Sequence, residues 1–315
     1  MKIVVPEKIS ARGLKVFEEA GFQVVQLTPA SVASGELARE LADAEGLVVR
    51  SAVKVTPEMI AGAPKLRVIG RAGVGIDNVN VPAATARKIV VMNTPGGSSV
   101  AVAELALGLM LALARQIPRG DASMHAGKWE KKALEGTELM EKTLGLVGCG
   151  RIALEVAKRA AAFGMKLLAY DPAEPMQAAR QAGIELVDWD QLLGKADYLS
   201  LHLSLTESSR NLLNDAAFAK MKPGVRIVNC ARGEVIDEDA LVRALQSGQV
   251  AGAAIDVYRK EPPPADAALP HEEHVIAMPH IGASTHEAQE RVGIAIAEQI
   301  RDYLVAGTIT NAVNA

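Results

Sequence analysis

Short runs of Val, Ile and Leu alternate through the first third of the chain with segments whose apolar residues recur at helical spacing, a pattern that predicts a parallel sheet covered by helices on both faces. Strands are expected over residues 2–6, 23–27, 46–50, 66–70 and 90–93. Helix signals lie between them: Gly21 closes a helix that begins near Ala11, and Thr56-Pro57 opens another before Leu66.

A second, longer alternating series follows, with strands expected over residues 144–147, 166–170, 198–202, 225–230, 251–257 and 274–278. Long apolar helices flank it, over residues 100–117 and 284–305, and the latter returns the chain toward the first unit. The reading is α/β with two doubly wound parallel-sheet domains, the second inserted into the first. Residues 1–94 and 284–315 form the discontinuous domain and residues 95–283 the inserted one. Residues 119–143 are too long and polar for an ordinary connection inside a compact domain. Met124 and Trp129 in this arm suit contact with a second subunit, although an arm folded on its own protein is the alternative.

The 315-residue length allows two cores. With 49% hydrophobic and 23% charged residues the chain is expected to fold throughout. A net charge of -3 with interspersed signs offers no field for nucleic acid or anionic lipid. The apolar stretch 101–114 contains Glu104 and is short for a membrane span, so a buried helix is expected. The N-terminus begins as a strand and shows no export signal. Cys149 and Cys230, the two cysteines, lack disulfide or zinc spacing, which fits a reducing cytoplasm.

Leu146-Val147-Gly148-Cys149-Gly150-Arg151-Ile152-Ala153 follows one expected strand and opens the next helix. Gly148 permits the tight turn, Gly150 lets a pyrophosphate approach the backbone, and Ala153 lets helix pack on strand. The helix N-terminus supplies N–H groups for phosphates. The next strand ends at Asp171, where an acid meets ribose hydroxyls and repels a 2′-phosphate. Pro172 rather than Arg follows, so NAD is favoured over NADP.

Ligands of open α/β sheets bind beyond the carboxyl ends of strands, which selects Asp171, His202, Arg232, Asp256 and His280. Oxidation of an alcohol by hydride transfer needs a base and a cation, roles that a histidine and an arginine fill. Among six histidines, His280 and His202 both end strands, and Gly282 beside His280 favours it. His271 and His274 sit in an acidic loop without enough partners for a metal site, and no metal is expected. Arg232 precedes Gly233, which leaves room for a ligand, or it pairs with Asp237. Glu261, taken alone, is an ordinary charged loop residue before three prolines.

Gly148 to Ala153, Asn229-Cys230-Ala231-Arg232-Gly233, Asp256-Val257-Tyr258 with Glu261-Pro262-Pro263, and Pro279-His280-Ile281-Gly282 together resemble the D-isomer-specific 2-hydroxyacid dehydrogenases. The resemblance extends over the whole chain, through Val49-Arg50-Ser51, Gly70 to Asn78, Gly136-Thr137-Glu138-Leu139 and Val313-Asn314-Ala315. It implies a Rossmann domain inserted into a flavodoxin-like substrate domain. It also implies His280 as acid/base, Glu261 as its orienting carboxylate and Arg232 as the group that holds and polarises the substrate.

By the same resemblance Gly148, Gly150, Arg151, Ile152, Asp171, His202, Cys230, Ala231, Arg232, Asp256, His280 and Gly282 would contact NAD. Ala72, Gly73, Val74 and Gly75 would meet the substrate carboxylate through backbone N–H groups. Arg50 and Arg71 suit a phosphate, which points to a phosphorylated hydroxy acid such as 3-phosphoglycerate. A homodimer or homotetramer is implied, with Lys131 of the arm reaching a phosphate across the dimer. Leu203 and Ser204 stand where the family usually has Thr-Pro, Val74 where it often has Thr, and Lys131 where Arg is common. The C-terminal regulatory domains of longer forms are not expected. Two other functions share these features, a glyoxylate or hydroxypyruvate reductase and a dinucleotide-sensing corepressor.

Overall fold

The computed structural model describes residues 1–172 and 177–315. The chain divides into two compact units, Met1–Ser99 with Ala283–Ala315, and Val100–Gly282.

The first unit runs β1 (Lys2–Val5), α1 (Ala11–Glu19), β2 (Gln23–Gln26), α2 (Pro29–Ala33), α3 (Glu36–Leu41), β3 (Gly46–Val49), α4 (Pro57–Ala61), β4 (Val68–Arg71), α5 (Val81–Ala86) and β5 (Val90–Met92). The strands form one parallel sheet in the order β2-β1-β3-β4-β5, the flavodoxin-like order. Successive residues of each strand point to opposite faces, and both faces are covered. Ile3, Val5, Val48 and Val68 pack with Phe17 of α1 and with Val292, Ile296 and Ile300 of the last helix. Val4, Leu47, Val49 and Ile69 pack with Leu37, Leu41, Ile60 and Ala84 on the other side. Side-chain caps from Ser10, Thr28, Thr56 and Asn80 start α1, α2, α4 and α5.

The second unit contains α6 (Ser99–Arg115), α7 (Ile117–His125), β6 (Thr143–Val147), α8 (Arg151–Ala162), β7 (Lys166–Tyr170), α9 (Gln177–Gln181), β8 (Glu185–Leu186), α10 (Trp189–Lys195), β9 (Tyr198–Leu201), α11 (Asp215–Lys220), β10 (Val225–Asn229), α12 (Glu238–Gln246), β11 (Val250–Ile255) and β12 (Val275–Ala277). The chain then returns to the first unit through α13 (His286–Ala306). All seven strands are parallel, in the order β12-β11-β10-β9-β6-β7-β8. The order reverses between β6 and β9, and that switch point is where an open α/β sheet binds its ligand.

The arm is more ordered than its polarity suggested. Gln116 adopts a left-handed conformation (φ 52°) that ends α6, and Pro118 then restarts the chain as α7, bent 64° from it. A 3-10 turn, Lys131–Leu134, follows. The stretch expected to be a buried helix is α6, which buries Ala103, Ala106, Leu109, Met110 and Ala114. Among the described residues no single helix is long and apolar enough to cross a membrane.

In the first unit α1 and α13 cross with their backbones in contact: a Cβ on Gly13 would stand 2.5 Å from the carbonyl oxygen of Gly293. Neither backbone can yield locally. Gly13→Ala is therefore expected to destabilise the protein by about 1–3 kcal/mol. Gly194→Ala in α10, where a Cβ meets nothing within 4 Å, should be neutral or stabilising by up to ~1 kcal/mol. Urea unfolding of both variants checks the contrast, and equal effects would remove the crossing as the cause.

Candidate active site

The switch point of the second unit places the glycine turn beside His202. Gly148 sits at φ 89°, a conformation open to glycine, and its N–H donates to the Tyr170 carbonyl at 2.8 Å. A Cβ there would stand 3.0 Å from the His202 carbonyl carbon and from the Leu203 nitrogen. Beside Gly150 a Cβ would meet nothing within 4 Å, and this residue caps α8 without a side-chain bond, so the N–H groups of the first turn of α8 have no side-chain cap. Asp171 is half-buried at the end of β7, and its Oδ2 accepts the Cys149 N–H at 2.8 Å. The acid thus holds the glycine turn directly.

His202 ends β9, with its N–H on the Val147 carbonyl at 2.8 Å. The residue as a whole is half-buried, yet its Nε2 is fully enclosed, with no hydrogen-bond partner among the described residues. Burial pushes its pKa down to about 3. The ring is neutral across the physiological range and carries an unsatisfied nitrogen beside the glycine turn.

Parallel pairing of β10, β11 and β12 aligns the remaining residues. The β11–β12 register sets Ile255 beside Ala277, so Asp256 meets the segment that follows β12. Asp256 is 1% exposed; Oδ1 accepts the Ile281 N–H and Oδ2 the Gly282 N–H, each at 2.8 Å. Burial raises its pKa against those two bonds. The two bonds clamp the turn in which His280 adopts a left-handed conformation, φ 54°.

His280 Nδ1 lies 2.6 Å from Glu261 Oε2, while Glu261 Oε1 accepts the Tyr258 N–H at 3.1 Å. Both carboxylate oxygens are therefore engaged. Burial opposes ionisation of Glu261, but the bonds from His280 and the Tyr258 amide, with the Arg232 charge, hold its pKa below the usual value. The Glu261 bond raises the His280 pKa, against desolvation and against Arg232. A carboxylate on Nδ1 selects the tautomer whose Nε2 accepts a proton.

Arg232 follows β10 on a loop shaped by Asn229, which is 1% exposed. The Asn229 side chain accepts the Ala231 N–H and donates to the Arg232 carbonyl, both at 3.0 Å. Arg232 is half-buried and its charge is felt at both Glu261 and His280. Burial and the nearby Asp256 raise the Cys230 thiol, which stays protonated.

In the first unit Arg50 ends its strand in a loop tied down by Glu7, whose carboxylate accepts the N–H groups of Arg50, Ala52 and Val53 at 2.8, 2.9 and 3.2 Å. Asn78 donates to the carbonyls of Arg50 and Val53. Arg71 ends β4, and its guanidinium donates to the Ala72 carbonyl at 3.4 Å. Ala72 and Gly73 already donate within the fold, to Val49 and Arg71. The N–H groups of Val74 and Gly75 find no acceptor among the described residues. Two of the four amides expected to meet a carboxylate are thus engaged within the fold.

Within the second unit, then, the fold joins His280 to Glu261 and Asp256, and Asp171 to the glycine turn. Lys131 is exposed on its 3-10 turn, and among the described residues no hydrogen bond or ion pair links it to the histidine cluster. Asn229, Glu7 and Asn78 shape these loops without having been selected from sequence. Asn229 ends β10, Glu7 lies just beyond β1 and Asn78 precedes α5, and a lone polar residue at such a place carries no pattern. No group of three or more metal-ligating side chains converges among the described residues. A cavity of about 280 Å3, lined by Leu113, Arg119, Arg226, Gly252 and His274, opens at the amino ends of β10 to β12, away from this chemistry.

Residues 107–282 match the family of D-isomer specific 2-hydroxyacid dehydrogenases in its NAD binding domain. The chain belongs to that family. It is 49% identical over 314 residues to D-3-phosphoglycerate dehydrogenase of Rattus norvegicus, covering 100% of this chain and 58% of that protein. The chain thus spans somewhat over half the length of the curated relatives it matches. Among solved structures, a glyoxylate reductase from Paecilomyes thermophila superposes with a TM-score of 0.88 at 31% identity, over 99% of this chain and 98% of that one. The NAD+-bound 3-phosphoglycerate dehydrogenase of Entamoeba histolytica has a TM-score of 0.84 at 32% identity, over 100% and 99%.

The Glu261 bond carries a direct expectation. The His280 ring should titrate above 6.5 by NMR, and Glu261→Gln should lower that pKa. An unchanged titration would detach the shift from Glu261.

Proposed function

We propose that this chain oxidises 3-phospho-D-glycerate to 3-phosphohydroxypyruvate with NAD as hydride acceptor, the first step of L-serine biosynthesis. The observation that carries the reaction type is the Glu261–His280 pair at 2.6 Å, with Arg232 close enough to act on both electrostatically. The relatives named D-3-phosphoglycerate dehydrogenase support the substrate.

The residues present fit the cofactor. The first turn of α8 is open to a pyrophosphate, the space beside Gly150 is clear, and the enclosed His202 Nε2 offers a polar atom without a partner. Gly148, Gly150, Arg151, Ile152 and Asp171 would hold the phosphates and the adenosine ribose, and His202, Cys230, Ala231, Asp256 and Gly282 would line the rest. Val74, where Thr is common, contributes no hydroxyl. NAD, when bound, supplies the carbon that accepts hydride from the substrate.

His280 Nε2 takes the hydroxyl proton as C2 gives up its hydride, and Glu261 stabilises the imidazolium that forms. Arg232 polarises the oxygen that becomes the carbonyl. The Val74 and Gly75 amides receive the substrate carboxylate, and Arg50 and Arg71 the phosphate. Lys131 would serve a phosphate in the partner subunit as a point charge. We place the protein in the cytoplasm as a homodimer or homotetramer built on the arm, where Trp129 is 79% and Met124 58% exposed.

NADH formation from 3-phosphoglycerate, with the product trapped, tests the reading. A preference for glycerate or hydroxypyruvate would favour the second reading, a glyoxylate or hydroxypyruvate reductase, which the Paecilomyes thermophila likeness supports. His280→Ala should reduce turnover by roughly 100-fold or more, and an unchanged rate would remove it as the base. Arg71→Ala should raise KM for phosphorylated substrates selectively, and an equal loss on all substrates would remove its phosphate role. Light scattering should show Trp129→Ala shifting the oligomer toward monomer, whereas an unshifted mass would return the arm to its own subunit.

A further inference from the structure

Arg232 and Glu261 reach the site on separate loops, one leaving β10 and the other β11. The Arg232 loop continues through the 3-10 turn Gly233–Val235 into α12, whose first residue is Glu238. This loop is well anchored: Asn211 and Leu213 donate to the Glu234 and Val235 carbonyls, Asp237 donates back to Leu213, and the Asp237 side chain caps α12. In the 258–261 turn Tyr258 is buried in the core, with its hydroxyl donating to the Ile255 carbonyl at 3.2 Å, whereas Arg259, Lys260 and Glu261 are exposed.

Two contacts cross from the anchored loop to that turn. Glu238 Oε1 accepts the main-chain N–H of Arg259 at 2.6 Å. Gly233 lies flat against the same backbone, where a Cβ would stand 2.0 Å from the Tyr258 carbonyl carbon and 2.4 Å from the Arg259 nitrogen. The Arg259 guanidinium adds exposed ion pairs to Asp237 at 3.4 Å and Asp239 at 3.9 Å, a weaker tie. The amide one residue earlier, that of Tyr258, is the donor to Glu261 Oε1. Consecutive amides of one turn are thus held by two carboxylates, Tyr258 by Glu261 and Arg259 by Glu238.

We propose that Glu238 is a positioning residue: by fixing the Arg259 amide it holds the 258–261 turn so that Glu261 stays in register with His280 and at a set distance from Arg232. The proposal rests on the reading of His280 as the base. Glu238 acts through Glu261 and is assigned no contact with substrate or cofactor. Three charged groups face the His280 ring, namely Glu261, Asp256 and Arg232. Asp256 is clamped by its own two amide bonds and Arg232 belongs to the anchored loop, so Glu261 is the one whose place depends on Glu238.

Releasing the turn leaves His280 with a carboxylate partner for only part of the time. Its pKa then falls, and the pH above which the neutral base is available falls with it. Glu238→Ala is expected to lower kcat roughly tenfold, the scale of a small misplacement of a catalytic group. The dissociation constant for NAD should stay within about twofold, since none of the groups assigned to the cofactor moves. The acid limb of kcat/KM for oxidation should move to lower pH, and the His280 ring titration should move down with it.

Glu238→Gln keeps an oxygen that accepts the Arg259 amide and should restore both values. A Gln variant that behaves like the Ala variant would overturn the proposal, because charge rather than the bond would then be at work. So would an Ala variant that lowers the thermal midpoint while leaving limb and titration unmoved. The ring titration needs no turnover: if His280→Ala keeps full activity, the base reading falls, while the titration of the Glu238 variants still decides whether Glu238 positions Glu261.

Discussion

Burying a carboxylate away from water costs several kcal/mol unless hydrogen bonds replace the lost hydration. Asp256 is enclosed almost completely, and the amides of Ile281 and Gly282 supply that replacement. Those amides have few other places to go, because the chain at His280 turns through a left-handed conformation that a histidine adopts at some cost. Each half of the arrangement stabilises the other: the turn brings two N–H groups to the carboxylate, and the carboxylate holds the turn. The consequence is a histidine ring fixed where Glu261 can reach it.

The sheet decides why these groups meet at all. Parallel strands present all their carboxyl ends at one edge, so residues far apart in sequence arrive together wherever neighbouring strands end. Asn229 ends β10, and Asp256 and His280 follow the adjacent strands β11 and β12. Asp256 donates its own N–H to the Asn229 carbonyl, which ties the Arg232 loop to the clamp beneath His280. The glycine turn and His202 occupy the adjoining stretch of the same edge, at the switch point between β6 and β9.

Much of this was legible in the chain. The α/β class and the two parallel sheets follow from alternating apolar runs, because strands covered on both faces leave continuous Val, Ile and Leu. Strand ends were less exact: the strand expected over 66–70 is Val68–Arg71, since the Leu66 N–H still closes a turn on Ala63. The arm read as irregular, yet α7 forms there, because a single left-handed residue and a proline can start a helix without an apolar stripe. In the second unit the strand ends pointed to Asp256 and His280 but not to the amide bonds of Ile281 and Gly282 that tie Asp256 to the His280 turn, which depend on register. Glu261 had no signal beyond the family resemblance. Glu7, Asn229 and Glu238 act by accepting backbone N–H groups, and sequence does not show which amides a fold leaves unpaired.

The two strand-end histidines show how environment can separate residues that sequence leaves nearly equal. His202 is enclosed without a counter-charge, so desolvation drives it to the neutral form and its pKa to about 3. His280 meets a carboxylate at 2.6 Å, and its pKa moves upward. A group that moves a proton must hold it in one half of the reaction and release it in the other, within the range of working pH. His202 cannot hold one there, which leaves it a fixed hydrogen-bonding atom. In the role proposed for His280 the upward shift has a sign: the neutral form would accept the hydroxyl proton of an alcohol, and the protonated form would return one to a carbonyl. In that role, rising pH through the raised pKa would populate the base needed for oxidation and falling pH the acid needed for reduction, so the carboxylate that orients the ring also sets the pH at which the two forms are equally populated.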